Sequence, residues 1–415
     1  MRIQPVPGWR VSVGDLGLPV PAPGTGDLTK LTPADPWRSP FVGYLGDHGF
    51  FVASSMRGTA TQWWLVGIDG RDGRRLFDPV RLSETTRPPT CLRNGPNTVL
   101  CVYDEPNSGT AWVVDATTGA VTFTGPTSLR TSPAKLNLKQ VGIYAVAETA
   151  GDGVYGVGPK AEPTWHVSGD GRTGSSQASN SDLAPKTLFT AMIDSRRFIT
   201  DVVFSVVDGT VIEPALDAGM RPLRAVTYHG GFAVEFGGQD GRQVGVAFFD
   251  PTGKRLAQIE TGDWLLPDFV DLPTLPAAAE SRVFTPDGQL LVRIPGVNAS
   301  VVRFMGGRLF VPRPSPEDWK QYDLRTGAEG KECAFDNSGP YLGSDGSVAV
   351  FSVGNPDAGL AAKAIDLDTC DKLWTLPSGM PPDVRSYGSV WRLNTTLVQL
   401  SGDGTELYSL VAPSK

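Results

Sequence analysis

The stretch VVDATTGAV, residues 113–121, has the composition of a strand, a tight turn and the start of a second strand. Its two leading valines are β-branched strand formers. Asp115 can accept backbone N–H groups at the head of a turn, and Gly119 adopts a positive φ at no steric cost. Because Val121 then restarts an extended run, the stretch predicts a β-hairpin with a glycine-containing loop.

This turn recurs along most of the chain. Similar stretches occupy residues 63–77, 245–256, 319–329 and 363–374. Together with the first stretch they give the structural turn residues Asp69, Gly73, Asp115, Gly119, Asp250, Gly253, Asp323, Gly327 and Asp366, with Cys370 replacing glycine in the last copy. Weaker relatives are residues 205–214, anchored at Asp208, and residues 154–165, which lack the aspartate.

An aromatic residue follows the turn aspartate by eight positions in three copies, as Phe77, Phe123 and Trp374. The returning strand therefore carries a large apolar side chain at a fixed place. In a β-rich repeat we expect such a residue to fill the gap between neighbouring sheets.

The spacing of the copies predicts the fold. Successive anchors are 42 to 49 residues apart, with one interval of 73 between residues 250 and 323. A period of this length with several strands per unit is typical of a β-propeller. Earlier hairpins in each unit complete four strands per blade. We therefore predict an all-β propeller with eight four-stranded blades, and seven blades as the main alternative.

The same pattern predicts a single domain over residues 1–415. Residues 7–14 form an orphan strand that we expect to close the ring by joining the last blade, which removes an exposed sheet edge. The Pro- and Gly-rich residues 15–40 should be irregular and cross one face of the ring, and residues 168–185 should form a mobile loop. Residues 281–296 are interpreted as an extra hairpin inserted between blades.

Composition limits the possible partners. The net charge is −7, and no run of Lys or Arg exceeds two residues, so the linear clustering of basic residues typical of nucleic-acid binding is missing and no nucleic-acid partner is expected. No apolar stretch is long enough to span a bilayer, and residues 1–14 have no signal-peptide core.

The four cysteines predict two disulfides, with buried thiols as the alternative. Cys91 and Cys101 flank a short hairpin turn, where they would face each other across antiparallel strands. Cys333 and Cys370 lie near two of the recurring turns. Four cysteines allow three connectivities, of which we favour 91–101 with 333–370.

Disulfides indicate an oxidising compartment. We therefore expect an extracytoplasmic protein, periplasmic or at the cell surface, in the form of a mature or truncated ectodomain. A membrane anchor, if there is one, would lie in a segment outside this sequence. We expect a monomer.

The copies VVDATTGAVTF, YDLRTGAE and AIDLDTCDKLW resemble the PQQ-like (quinoprotein-type) eight-bladed propellers. The resemblance covers most of the chain and is weakest in its third and fourth units. That family includes quinone-dependent dehydrogenases and non-catalytic envelope scaffolds. The cysteines and divergent repeats look most similar to the extracytoplasmic members from mycobacteria and other actinobacteria. The motif itself builds a turn and carries no information about activity.

No catalytic, cofactor or metal site is predicted. His48 and His229 lie in tight turns and His166 on an outer strand, without the spacing of metal ligands. A quinone site would imply a bound calcium and the adjacent cysteines typical of the dehydrogenases, which this chain lacks. The absence of these features favours a protein without a cofactor.

The sequence thus predicts a non-catalytic envelope scaffold that binds a protein or peptide, with a quinone-dependent or other channel-centred enzyme as the alternative. Trp63 and Trp64 are consecutive on one strand and must point to opposite faces. One of them is a candidate for protein contact if it is exposed. The alternative is that both are packed.

Overall fold

Nine antiparallel sheets follow one another along the chain, and the computed structural model arranges them as the blades of one β-propeller. The structure describes residues 1–22, 24, 27–31, 39–58, 60–105, 108–131, 135–174, 187–194, 200–265, 272–275, 280–295, 303–313, 318–334, 339–353, 359–379 and 389–413. In these ranges the elements are strands, turns and bends, without a helix. Because the structure has nine sheets, the predictions of eight and of seven blades are wrong.

Each of the first five blades is an antiparallel meander, whose strands we call A to D in chain order. Strand A is the innermost, since the A strands of neighbouring blades contact one another (β3 with β7 and with β34, for example), and strand D is the outermost. In blade 1 both β2 and β3 pair with β4 and together supply strand A. Blade 1 contains β2 (Leu28–Lys30), β3 (Phe41–Leu45), β4 (His48–Arg57), β5 (Ala60–Asp69) and β6 (Val80–Glu84); blade 2 contains β7 (Thr90–Arg93), β8 (Thr98–Asp104), β9 (Gly109–Asp115) and β10 (Val121–Thr127); blade 3 contains β11 (Asn137–Val141), β12 (Tyr144–Thr149), β13 (Gly153–Val157) and β14 (Pro163–Ser168); blade 4 contains β15 (Arg172–Thr173), β16 (Leu188–Asp194), β17 (Thr200–Ser205) and β18 (Val211–Ile212); blade 5 contains β19 (Arg221–Tyr228), β20 (Gly231–Gly237), β21 (Gln243–Phe249) and β22 (Arg255–Glu260).

The last four blades continue this plan: in blade 6 the described strands are B, C and D, and the final blade uses strands from both ends of the chain. Blade 6 contains β23 (Thr274–Leu275), β24 (Glu280–Phe284) and β25 (Leu290–Pro295); blade 7 contains β26 (Arg303–Met305), β27 (Arg308–Pro312), β28 (Asp318–Asp323) and β29 (Glu329–Ala334); blade 8 contains β30 (Tyr341–Ser344), β31 (Val348–Ser352), β32 (Leu360–Asp366) and β33 (Lys372–Pro377); blade 9 contains β34 (Val390–Leu393), β35 (Thr396–Leu400), β36 (Glu406–Val411) and β1 (Val6–Ser12).

The antiparallel order gives the ring two different faces. A–B and C–D turns lie on one face, which we call the lower face. B–C turns and the connections from strand D to the next blade lie on the other, upper face. Sites on the upper face can therefore combine residues from neighbouring blades, which is where propellers commonly present variable loops.

The ring is held together by nine buried apolar clusters, one between each pair of neighbouring blades. The central strands supply consecutive apolar residues because both of their faces are covered. Phe50, for example, packs towards blade 2 and Phe51 towards blade 9, and neither is accessible to solvent. The ninth cluster, between blades 9 and 1, shows that the ring is closed.

The predicted strand pairing that closes the ring is confirmed. Strand β1 pairs antiparallel with β36, from Val6 opposite Val411 to Ser12 opposite Glu406. Trp9 adds a side-chain link to the next blade, since its Nε1 donates to the Gly70 carbonyl at 3.1 Å. The first and last strands of the chain thus share one sheet.

The recurring turns have the geometry that the sequence predicts. In the C–D turn of blade 2, Asp115 Oδ1 accepts hydrogen bonds from the backbone N–H groups of Thr117 and Thr118 and from the Thr118 hydroxyl. The bonds from the Thr118 backbone and hydroxyl lower the pKa of Asp115. Gly119 closes the turn at φ 72°. Cys370, in the glycine position of blade 8, also has a positive φ, 65°, which is uncommon for a residue with a side chain.

The three aromatic residues that follow the turns lie at blade junctions, as predicted, and Phe77, which precedes β6, contacts the glycine turn of blade 2. A Cβ atom placed on Gly119 would lie only 2.4 Å from Phe77, so the absence of a side chain creates the space for the ring. Phe123 joins the apolar cluster that contains the turn residue Ala161 of blade 3. Trp374 instead donates from Nε1 to the Met1 carbonyl, at 3.0 Å, because blade 9 has no C–D turn of its own.

The interval of 73 residues contains a complete copy of the turn, and this accounts for the ninth blade. Residues 281–296, interpreted above as an inserted hairpin, hold the third and fourth strands of blade 6. Thr285 takes the place of the turn aspartate: its N–H donates to the Gln289 carbonyl, and Gly288 N–H donates to the Thr285 carbonyl. Gly288 has φ 85°. Residue 285 divides the interval into 35 and 38 residues, close to one blade each.

In two weak copies the turn begins at a different residue from the one that the sequence predicts. In blade 4 the residue at the aspartate position is Ser205, whose carbonyl accepts the N–H of Gly209, and Asp208 lies inside the turn. In blade 3 the corresponding residues are Gly158 and Ala161, and Ala161 has φ 55°. A serine or a glycine can begin the turn because the backbone hydrogen bonds are retained.

The segments predicted to be irregular contain strands and buried residues within their described parts. Within residues 15–40, Leu16 and Leu31 are buried in the cluster between blades 9 and 1, and β2 is a strand. Of the predicted mobile loop 168–185, residues 175–185 lie outside the described residues, and Arg172–Thr173 is strand β15.

Both predicted disulfides are present. Cys91 and Cys101 are directly opposite on β7 and β8, with Cα atoms 4.0 Å apart. Cys333 on β29 is bonded to Cys370 in the turn of blade 8, with Cα atoms 5.3 Å apart. The first bond lies within a blade, and the second links two blades.

Candidate functional site

A β-bulge on the upper half of blade 5 positions the side chain of Arg224. The pairing of β19 with β20 shifts register between Pro222 and Ala225, which leaves Leu223 and Arg224 outside the regular ladder. At the end of the bulge the backbone N–H of Ala225 donates a hydrogen bond to Asp201 Oδ2 of blade 4, at 3.1 Å, and not to strand β20. Bulges commonly redirect a side chain in this way.

Glu235 lies on β20, in the stretch opposite the bulge, and is 4% exposed. Its Oε1 accepts a hydrogen bond from the backbone N–H of Leu265 at 2.6 Å. Burial raises the pKa of Glu235 to about 7, since desolvation outweighs the Leu265 hydrogen bond and the charge of Arg224. Glu235 therefore anchors the connection between blades 5 and 6.

This connection, residues 261–265, is fixed on both sides of Trp264. Asp263 forms an ion pair with Arg282 of blade 6 at 2.5 Å, and its carbonyl accepts from Gln243 Nε2 at 2.7 Å. Leu265 is buried in the cluster between blades 5 and 6. Trp264 is thus carried on an anchored segment rather than on a free loop.

Trp264 itself is 61% exposed and lies over the guanidinium of Arg224, with 5.1 Å from Cζ to the ring centroid. It is the only aromatic side chain among the large exposed apolar residues of the described part of the chain. Stacking on Arg224 restrains the indole at the surface. We call Arg224, Glu235, Asp263, Trp264 and Arg282 the Trp264 site; together they hold one exposed aromatic ring over an arginine.

The Trp264 site is not among the candidates that the sequence predicts. Of its two candidates, Trp63 is fully buried between blades 1 and 2 and donates to the Thr85 carbonyl, while Trp64 packs against the cluster between blades 9 and 1. The two indoles do point to opposite faces, but both are packed. Trp264 lies in a segment without the alternation of apolar and polar residues that is typical of a strand. A tryptophan in such a segment has no neighbouring strand to cover it, and this is the sequence feature that could have indicated an exposed indole.

The histidines are distributed separately. His166 stacks on Tyr155 with centroids 4.4 Å apart, whereas His48 begins β4 and His229 lies in the turn before β20. In the ranges that the structure describes, no three His, Cys, Asp or Glu side chains are grouped so that they could hold a metal ion. The Trp264 site offers an exposed indole and an arginine, groups that can contact another protein.

A family model described as the conjugation-associated nine-bladed β-propeller domain matches residues 1–413. The chain belongs to this family. The blade number of the family agrees with the nine sheets of the structure. The resemblance to PQQ-like proteins correctly indicated a propeller, but membership of the PQQ-like family is not shown.

A relative of this propeller domain occurs in Mycolicibacterium smegmatis (strain MKD8). That uncharacterised protein is 41% identical over 428 aligned positions, which cover 100% of this chain and 86% of the relative. Similar solved structures include a eukaryotic initiation factor (10% identity, 81% of this chain, 87% of that chain, TM-score 0.45) and the computationally designed Ika8 protein (15%, 78%, 96%, 0.42). At these scores neither structure bears on the function of this chain.

The two disulfides are the structural feature that bears on location. Such bonds form and persist in oxidising compartments and are rare where glutathione and thioredoxin keep thiols reduced. Within the described ranges, no helix is both long and apolar enough to cross a bilayer.

Proposed function

We propose that this propeller is a non-catalytic, extracytoplasmic scaffold that binds a protein partner of a conjugation apparatus through the Trp264 site. The observation that carries the proposal is the exposed indole of Trp264, held over Arg224 by buried anchors. Tryptophan and arginine are enriched among the residues that dominate interface energies.

The fixed geometry of the site supports binding rather than a nonspecific surface patch. An indole restrained before association loses little conformational freedom when a partner covers it, which favours affinity. The Asp263–Arg282 ion pair and the Glu235–Leu265 hydrogen bond supply this restraint from two different blades. The family description supports a role in conjugation, and the disulfides support a place in the cell envelope.

Site-specific photo-crosslinking in the native host tests the proposal. A photoreactive phenylalanine analogue replaces Trp264 in one strain and Leu256 in another. Leu256 is a suitable control because it is 44% exposed and lies on the outer strand of the same blade. We expect one envelope protein to be captured from position 264 and not from position 256.

The same strains give a functional measurement. Trp264→Ala should abolish recovery of that protein and lower the frequency of conjugation at least about tenfold, the loss of roughly 1.4 kcal/mol of binding energy. Leu256→Ala should change neither. Equal crosslinking at both positions, or normal conjugation in the Trp264→Ala strain, would contradict the proposal. A stoichiometric quinone chromophore in the purified protein would favour the enzyme instead.

A further inference from the structure

The innermost strands of the propeller carry only positive charge. In the eight blades whose strand A is described, these strands contain eight basic residues and no acidic ones. The basic residues are Lys30, Arg93, Lys139, Arg172, Arg221, Arg224, Arg303 and Arg392. This distribution is unexpected in a chain of net charge −7.

The sign of the charge changes with distance from the axis. The third strands of the blades carry mainly carboxylates: Asp69, Asp115, Asp201, Glu280, Asp318, Asp323, Asp366 and Glu406, against Arg282, Lys320 and Lys363. Since strand A of each blade borders the central channel, the positive charge is concentrated where the low-dielectric walls focus its field. The linear sequence does not show this because each blade contributes only one or two cations.

Several of these cations extend between neighbouring blades around the axis. Arg93 donates to the carbonyls of Tyr44 in blade 1 and Gly142 in blade 3, at 3.3 and 3.1 Å. Lys139 donates to Thr173 Oγ1 of blade 4 at 2.7 Å. Because these contacts cross from one innermost strand to the next, the side chains belong to the channel wall and its rim.

The upper half of this cationic ring shares Arg224 with the Trp264 site. Arg172 of blade 4 and Lys30 of blade 1 lie opposite the upper parts of β16 and β4. Arg172 pairs with Met192 near the upper end of β16 and is exposed, and Lys30 is half-buried. A segment of a partner bound at Trp264 would therefore meet these cations at the channel mouth.

We propose that the upper mouth of the channel binds an acidic, extended segment of the partner polypeptide. This inference rests on the proposed function and deepens it by naming the chemistry of the bound segment. Aspartate or glutamate side chains spaced along such a segment would pair with the cations of several blades in turn. The same cations would attract the segment before contact, and the association would weaken as salt rises.

A polypeptide fits this mouth better than a nucleic acid. Carboxylates on the second strands lie beside two of the cations: Glu148 is 3.2 Å from Lys139, and Glu235 is opposite the bulge that carries Arg224. A phosphodiester chain with a charge on every residue would be repelled by them, whereas neutral residues of a peptide can lie opposite them. Nonspecific binding of single strands also uses several stacking aromatic residues, and among the described residues Trp264 is the only exposed Trp, Tyr or Phe side chain.

Fluorescence anisotropy with the full chain tests the inference. The probe is a fluorescein-labelled peptide of alternating Glu and Gly, and the comparison probe is an oligothymidylate of equal charge. The variant Lys30→Gln/Arg172→Gln removes two inner cations. The control Lys331→Gln/Lys372→Gln removes the same charge from exposed positions on the outer strands of blades 7 and 8.

We expect the peptide to bind, with an affinity that falls as salt rises, and the inner double variant to weaken binding about tenfold while the outer control stays within about twofold. Arg172→Gln alone, at an exposed position, should give an intermediate loss. No peptide binding, equal losses in both double variants, or preferential binding of the oligonucleotide would overturn the inference. Crosslinking at position 264 that persists in those cases would leave the proposed function standing.

Discussion

Cys333 and Cys370 join the outer strand of blade 7 to the C–D turn of blade 8, with Cα atoms 5.3 Å apart. At the corresponding junction between blades 1 and 2, Phe77 contacts the turn glycine Gly119. A disulfide therefore replaces an aromatic contact at one junction of the ring. The backbone keeps the turn conformation in both cases, since Cys370 has φ 65° and Gly119 has φ 72°.

The two roles of Cys370, as a disulfide partner and as a turn residue, predict an unusual order of stabilities. Removing a disulfide across 37 residues should lower the free energy of unfolding by about 4 kcal/mol. Cys333→Ala/Cys370→Gly should nevertheless be more stable than Cys333→Ala/Cys370→Ala by about 1 kcal/mol, since glycine adopts the positive φ without strain. Guanidinium unfolding of both variants measures this. An alanine variant as stable as the glycine variant would contradict the assigned turn.

The contact between Phe77 and Gly119 predicts coupling between the two residues. Gly119→Ala adds a Cβ that would lie 2.4 Å from Phe77, besides the cost of its φ. Phe77→Ala should cost about 3–5 kcal/mol by itself. In the Phe77→Ala background the second substitution should cost about 1–2 kcal/mol less than in the wild type, because the clash is gone.

Free energies of unfolding of the two single variants and of the double variant form a double-mutant cycle for Phe77 and Gly119. Gly346→Ala provides the matched control for this cycle. Gly346 has φ 89°, and a Cβ there would meet no atom within 4 Å. This substitution should cost only about 1 kcal/mol and be independent of Phe77. Strict additivity of the Phe77 and Gly119 variants would show that the residues are not in contact in solution.

The sequence was sufficient to predict the propeller, its closing strand and both disulfides, because each depends on local turn chemistry or on strand ends. It predicts one blade too few because residues 281–296, whose turn begins with Thr285 in place of an aspartate, are interpreted as an inserted hairpin. Thr285 builds the same turn through backbone hydrogen bonds, supported by Gln289 N–H donating to its hydroxyl at 2.9 Å. A pattern based on the glycine position, Gly288, would have found it.

The Trp264 site could not be derived in the same way. Its parts come from four places in the chain: the bulge at Arg224, the buried Glu235, the connection that carries Asp263 and Trp264, and Arg282 on β24. A register shift in one strand pair has no reliable sequence signal, and burial of a glutamate depends on the neighbouring blade. The charge of the inner ring is also invisible in the linear sequence, because its residues are separated by whole blades.

Glu235 predicts a specific dependence of stability on pH. Its pKa is about 7 in the folded protein, above the ordinary value of 4.5, so the folded state binds the proton more tightly than the unfolded state. The contribution of this group is therefore fully present below pH 4.5 and is lost as the pH rises to 7, a loss of about 3 kcal/mol.

Glu235→Gln cannot titrate and keeps an acceptor for the Leu265 N–H. Its free energy of unfolding relative to the wild type should therefore increase by about 3 kcal/mol between pH 4.5 and pH 8. Glu260→Gln removes an exposed carboxylate from the same blade and controls for the change in net charge. A constant difference between Glu235→Gln and the wild type across this range would exclude the predicted titration.

Ring closure depends on Trp9 and predicts a local effect. Trp9 contacts Gly73 of blade 1, and its backbone N–H donates to Ser409 Oγ on β36 at 3.1 Å. Trp9→Ala should lower the free energy of unfolding by about 2–3 kcal/mol, less than for a fully buried tryptophan because Trp9 is half-buried. Trp9→Phe should cost about 1 kcal/mol, chiefly from the lost bond to the Gly70 carbonyl.

Hydrogen exchange distinguishes opening of the ring from a general loss of stability. If β1 closes the ring, Trp9→Ala should release it first, and the amides of β36 should exchange faster than those of β9 in blade 2. Phe77→Ala alters the junction between blades 1 and 2, which is not where the chain ends meet, and should not accelerate exchange preferentially in β36. A uniform acceleration in both variants would mean that the ring opens only when the whole domain unfolds, because the nine junctions would then act as one cooperative unit.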